Sequence, residues 1–190
     1  MAMPQTSPPA ERWTVEQVLG LPDDGQRHEV IDGELFMTPA PRLVHQEALR
    51  ALYDELAEYV RAQRQGVLFW SPADIVFGPR TLVQPDLFVA PLIEGRRPRE
   101  WSEITTLLLA VEVLSPGTAS RDRGVKRRLY QRVGVSEYWI VDLDARIIER
   151  WRPGEERPEV LDAALRWQPP GAAAPLTIDL AAFLREAWGE

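Results

Sequence analysis

Along the chain the apolar positions switch between a spacing of two and a spacing near 3.6, and the switches lay out an α/β domain. Thr14-Val15-Glu16-Gln17 has the form of a capping box opening a short helix that stops near Gly20 and Pro22. His28-Glu29-Val30-Ile31 and Glu34-Leu35-Phe36-Met37-Thr38 read as two strands around Asp32-Gly33, a pair that tolerates positive φ at both positions of a tight hairpin. From about Pro41 to Gln65, Val44, Ala48, Leu49, Leu52, Leu56 and Val60 fall on one side of a helix that should pack against a sheet. Pro41 suits its first turn and Gly66 its end.

Val67 to Trp70, Asp74 to Phe77 and Leu82 to Ala90 are β-like, and the Ser-Pro and Gly-Pro breaks between them predict a meander. After a polar loop, Thr106 to Leu114 is almost continuously apolar, the pattern of a central strand covered on both faces. A helix is expected from about Ser120 to Val133, ending at Gly134, followed by a hairpin of Tyr138 to Asp142 and Arg146 to Trp151. Weaker strand signals near Leu165 to Trp167 and Leu176 to Ile178 precede a helix from Leu180 to Trp188. These elements predict a mixed sheet flanked by helices.

A length of 190 residues and a hydrophobic fraction of 45% fit one domain over residues 13–190, after a Pro- and Ser-rich tail, residues 1–12, expected to be disordered. The absence of cysteine excludes disulfides, thiolate catalysis and sulfur-ligated metals, so any metal must sit on oxygen or imidazole. No basic and apolar leader is present, and the longest uncharged apolar run, Leu107 to Val111, is too short to span a bilayer. A cytoplasmic protein is the expectation. The net charge of −7 disfavours a protein that coats nucleic acid. Cations are nevertheless clustered between Arg121 and Arg132 and at Arg96, Arg97 and Arg99, either as solvated faces or as phosphate contacts.

Glu112 stands inside Leu107-Leu108-Leu109-Ala110-Val111-Glu112-Val113-Leu114, where a carboxylate without a partner is desolvated at a cost of several kcal/mol or stays protonated. Its partner is either a cation side chain or a divalent metal. Asp86 is a second carboxylate, following Pro85, which suits an edge, a bulge or a strand end, places where side chains open toward a cleft. Lys126 is the only lysine among 22 Lys and Arg residues. On a regular helix Asp122, Lys126 and Tyr130 border the face carrying Leu129 and Val133, so Lys126 can reach back toward Glu112. Catalysis and a plain ion pair both remain open for it.

Pro85-Asp86, Glu112-Val113-Leu114-Ser115-Pro116, then Asp122, Lys126 and Tyr130, then Gly134-Val135 and Glu137-Tyr138-Trp139-Ile140-Val141-Asp142 together resemble the signature of the Uma family of restriction-endonuclease-like proteins, a branch of the PD-(D/E)XK nuclease superfamily. The likeness extends upstream to His28-Glu29-Val30-Ile31-Asp32-Gly33-Glu34 and covers about Glu29 to Asp142. The superfamily's lysine stands two residues after the glutamate, where this chain has Leu114. The Uma branch implies that it has moved onto the helix, at Lys126. Gln84 replaces the basic residue often found before Pro-Asp.

The resemblance implies a restriction-endonuclease-like fold and a Mg²⁺-dependent endodeoxyribonuclease, with Mn²⁺ as a substitute metal. DNA is the implied partner of a homodimer or higher homo-oligomer. Asp86, Glu112 and the carbonyl of Val113 would hold the metal, with Lys126 orienting water or stabilising charge on phosphorus. Glu29 is either a third catalytic carboxylate, for a second metal or as base, or an exposed strand glutamate. Arg123 and Tyr130 are candidate phosphate contacts, Tyr130 being also a candidate core residue. His45, on the apolar face of the long helix, reads as a core histidine. Ser115 lacks the surroundings of a serine triad. Two further readings remain: a nuclease-like domain that binds nucleic acid or protein without cleaving, and amine catalysis by Lys126.

Overall fold

The computed structural model describes residues 12–38 and 40–190, so the expected tail, apart from Arg12, lies outside the described residues. Helix α1 (Val15–Leu19) opens with the expected capping box: the Thr14 side chain accepts from the Gln17 amide and the Gln17 side chain from the Thr14 amide. Strands β1 (Arg27–Ile31) and β2 (Glu34–Thr38) pair in antiparallel register through Asp32 and Gly33, at φ 52° and 87°. Helix α2 (Leu43–Gln63) then buries Ala48, Ala51, Leu52, Leu56 and Val60. Its end differs from expectation, because Arg64 takes the left-handed position with φ 54° and donates to the Val60 carbonyl. Gly66 instead opens β3 (Gly66–Trp70), where a Cβ would stand 2.5 Å from the Ala90 carbonyl oxygen.

The expected meander does not form. Pro85 splits the expected strand Leu82 to Ala90, since it has no amide to give a ladder. The halves, β5 (Thr81–Val83) and β6 (Leu87–Pro91), belong to different sheets. β4 (Ile75–Gly78) pairs with β5, and β3 passes over it to pair with β6. One sheet has the order β2-β1-β5-β4. The larger, mixed sheet runs β10-β9-β8-β7-β6-β3, with β7 (Leu109–Val113) antiparallel to β6 and parallel to β8 (Tyr138–Asp142). β9 (Ile147–Trp151) completes the expected hairpin, and β10 (Glu159–Leu161), short and largely exposed, is an edge strand that periodicity does not announce. β11 (Ala164–Trp167) pairs with β12 (Leu176–Asp179).

The connection from β7 to β8 is helical in three pieces: α3 (Ala119–Arg121), a π turn (Asp122–Lys126) and α4 (Arg127–Arg132). The Arg127 amide reaches the Asp122 carbonyl, which also accepts from the Tyr138 hydroxyl at 3.2 Å. This wide turn carries Asp122 and Lys126 wholly inside, deeper than the border that a regular helix predicts. On one face of the large sheet, α2 and α5 (Leu180–Trp188) pack Leu52, Leu56 and Phe183 against Val89, Val111 and Trp139. On the other, Phe88, Ala110 and Ile140 meet Ile31, Ile75 and Val83 of the small sheet together with Leu129 and Tyr130 of α4. Burying each such side chain contributes about 1.5–3 kcal/mol. The two sheets and α3 to α4 therefore clasp the end of β7 that carries Glu112. Among the described residues no helix is long and apolar enough to cross a membrane.

Candidate active site

The break at Pro85 leaves Asp86 just outside β6, where the register Leu87 with Val111 brings it beside Glu112. Three donors fix its carboxylate. Arg27 Nη1 lies 2.7 Å from Oδ1, while His45 Nε2 (3.1 Å) and the Val113 amide (3.0 Å) both approach Oδ2. Burial on its own would raise the Asp86 pKa, but the hydrogen bond and charge of His45, with Arg27 and Lys126, hold it below the usual carboxylate range.

Glu112 is buried at the centre of the clasp. Its Oε1 accepts from Lys126 Nζ at 2.8 Å and from the Tyr130 hydroxyl at 3.1 Å. Lys126 also contacts Glu29 Oε1 at 2.9 Å, the oxygen that accepts from the Gln84 amide at 2.7 Å. Glu29, only 2% exposed, is thus an interior residue and not an exposed strand glutamate. Burial would lower the Lys126 pKa, yet Glu112, Glu29 and Asp122 drive it above its ordinary 10.5. The amine therefore remains an ammonium, which disfavours Schiff-base chemistry. Burial pushes Glu112 well up, Lys126 opposes that rise, and repulsion from Asp86, Asp122 and Glu29 adds to it.

The interior is crowded with acids. Four buried carboxylates, Glu29, Asp86, Glu112 and Asp122, face three permanent cations, Arg27, Arg121 and Lys126. Asp86, Glu112 and Asp122 line one cavity of about 190 Å³, along with Arg27, His45 and Arg121. On its wall the buried Asp122 Oδ1 and Arg121 Nε have no hydrogen-bond partner, and at 3.8 Å they are too far apart to satisfy each other. Among the described residues no three His, Cys, Asp or Glu side chains form a ready-made metal cage. The crowded carboxylates and the orphaned oxygen nevertheless fit a hard divalent cation that takes a few carboxylate oxygens and keeps several waters.

Sequence reasoning anticipated the meeting of Asp86, Glu112 and Lys126. Tyr130, expected as a phosphate contact with the core as its alternative, is fully buried and gives its hydroxyl to Glu112, so a phosphate cannot reach it without displacing the helix. Arg123 points elsewhere: Nε and Nη2 are each 2.7 Å from Glu149 and Asp142, which tie the π turn to β8 and β9. Three participants were missed as site residues. His45 was read as core packing, Arg27 had no local signal, and Arg121 was one cation in a run. His45 carried the available hint, a titratable ring on an otherwise apolar face, and its Nδ1 is buried without a partner.

The Uma2 family model, described as "Putative restriction endonuclease", matches residues 15–181. A crystal structure described as a "putative nuclease" from Anabaena variabilis superposes with a TM-score of 0.75 at 20% identity, covering 92% of this chain and 99% of that one, and shows the shared fold. None of the curated proteins compared matches the chain. With a family match across nearly the whole described chain, this protein belongs to the Uma2 family, described as restriction-endonuclease-like.

Proposed function

We propose that the chain is a metal-dependent endonuclease hydrolysing DNA phosphodiester bonds. The observation that carries this reading is the cavity shared by the three carboxyl groups of Asp86, Glu112 and Asp122, with the buried Lys126 ammonium held against Glu112. Bound by Asp86, Glu112 and the Val113 carbonyl, Mg²⁺ or its substitute Mn²⁺ would polarise the scissile phosphate and acidify the attacking water.

The chain's own groups have definable parts. Arg27, His45 and the Val113 amide orient Asp86 and keep it ionised. Tyr130 and Lys126 fix Glu112 Oε1, leaving Oε2 as its free oxygen for the cavity. Lys126 has three N–H donors and uses two on Glu112 and Glu29; buried and off the cavity wall, it acts on the site through Glu112. Because it stays protonated, it stabilises negative charge and does not take the proton from water. Glu29 acts as the anchor of Lys126, its Oε1 already accepting from two donors. Arg123 contributes by bracing the π turn. Two copies of the chain would present two such cavities to two strands of DNA.

A second reading, a nuclease-like domain that binds without cutting, is favoured by the absence of a ready-made metal cage among the described residues. Plasmid cleavage with Mg²⁺ or Mn²⁺ separates them. The nuclease reading expects cleavage by the wild type that is lost in Glu112→Ala and Lys126→Ala; cleavage surviving equally in both, or absent throughout, counts against it.

A further inference from the structure

One stripe of α2 runs past three neighbouring cavities. His45, Leu49, Tyr53, Ala57 and Arg61 recur every fourth residue, a line about 24 Å long at helical rise. His45 lines both the acidic cavity and a second one of about 450 Å³, which also holds Tyr53, Trp70 and Arg27. Tyr53 in turn borders a third cavity of about 380 Å³ with Arg61, Arg64 and Arg97.

The middle cavity is aromatic and short of free charge. Trp70 is 58% exposed and meets Tyr53 edge to face at 5.0 Å. The arginines there are committed, Arg27 to Asp86 and Arg50 to Glu47, Asp54 and Glu186. Such walls suit a flat, neutral ring. In the third cavity the charge is uncommitted: Arg61, Arg64 and Arg97 have no ion pair among the described residues. Arg64 even occupies a left-handed position, φ 54°, where glycine would be free of strain.

From these observations we propose that the three cavities form a path for a single DNA strand. Phosphates lie on Arg61, Arg64 and Arg97, an unpaired base stacks on Trp70 in the middle cavity, and the adjoining phosphate enters the acidic cavity. Aromatic stacking joined to a cationic groove is how unpaired strands are held without sequence reading, and a base inside a duplex stack has no free face to offer. This path rests on the nuclease reading only for the event at the acidic end.

The test is fluorescence anisotropy of labelled oligonucleotides in EDTA, so that binding is read without cleavage, using single-stranded and duplex forms. Single strands should bind more tightly than duplex. Trp70→Ala should weaken single-strand binding on the order of 10-fold, with Trp70→Phe retaining most of it. The combination Arg61→Gln, Arg64→Gly and Arg97→Gln should reduce the slope of log affinity against log salt by about 2. Circular dichroism melts matching the wild type establish that these exposed positions leave the fold intact. Duplex bound as well as single strand, or variants indistinguishable from wild type, would overturn the path even if the wild type cuts DNA. Binding as expected with no cleavage in Mg²⁺ or Mn²⁺ would uphold the path and remove the hydrolytic reading instead.

Discussion

The Lys126 ammonium lies 2.8 Å from Glu112 Oε1, and both side chains are almost wholly removed from solvent. In such a place neither group is tolerable alone. Each charge is expensive to desolvate, and the pair is held because Glu29 and Tyr130 supply further hydrogen bonds.

Lys126→Met should therefore destabilise the protein by about 3–5 kcal/mol in urea titrations at neutral pH, since it strands buried carboxylates. Adding Glu112→Gln to that variant should recover part of the loss. Equal stability of wild type and Lys126→Met would show that the ammonium is not the counterion of this cluster.

Metal-free stability should decline as pH rises above the ordinary glutamate value of 4.5, because Glu112 holds its proton more tightly folded than unfolded. A raised acid gives its stability below the unfolded pKa and loses it as pH climbs toward the folded one. Asp86 works with the opposite sign, its folded pKa being depressed, so its contribution is lost only as pH falls below the ordinary aspartate value of 3.8. Thermal melts in EDTA at pH 5 and pH 8 should show the alkaline decline in wild type and a flatter profile in Glu112→Gln. A wild-type profile equally flat contradicts the raised Glu112.

His45→Phe removes the hydrogen bond that orients Asp86 Oδ2. The fold should survive, while divalent metal affinity should fall tenfold to a hundredfold, the usual effect of removing a partner that aims a ligand. Unchanged affinity would return His45 to the role of a packing residue.

Gly66→Ala tests the architecture away from the site. Its Cβ would stand 2.5 Å from the Ala90 carbonyl oxygen, a backbone atom of the paired strand, and 2.8 Å from Val89. A loss of about 1–3 kcal/mol is expected from such overpacking, read as a lowered melting temperature.

Much of this was legible because it is local. Asp32-Gly33, Thr14 with Gln17, and the Leu180 to Trp188 helix each carry their signal within a few residues, and each appears where expected. Glu112 was legible for a different reason: a carboxylate in an apolar strand requires a partner, and one lysine within helical reach narrowed the search. The division of strands at Pro85 between two sheets was not legible, since pairing depends on residues far along the chain. Nor was the π turn, which needs the Tyr138 hydroxyl to occupy the Asp122 carbonyl. Arg27, at the start of β1 in the small sheet, meets Asp86 beside β6 of the large one, a contact 59 residues apart that no spacing rule reveals.

The most direct measurement is calorimetric titration of Mn²⁺ into the apoprotein, comparing wild type with Asp86→Asn and Glu112→Gln. Saturable binding by the wild type, abolished in each variant while both remain folded, is the result expected if these carboxylates share an ion. No binding by the wild type, or binding unaltered by either substitution, would contradict the metal site on which the proposed chemistry depends.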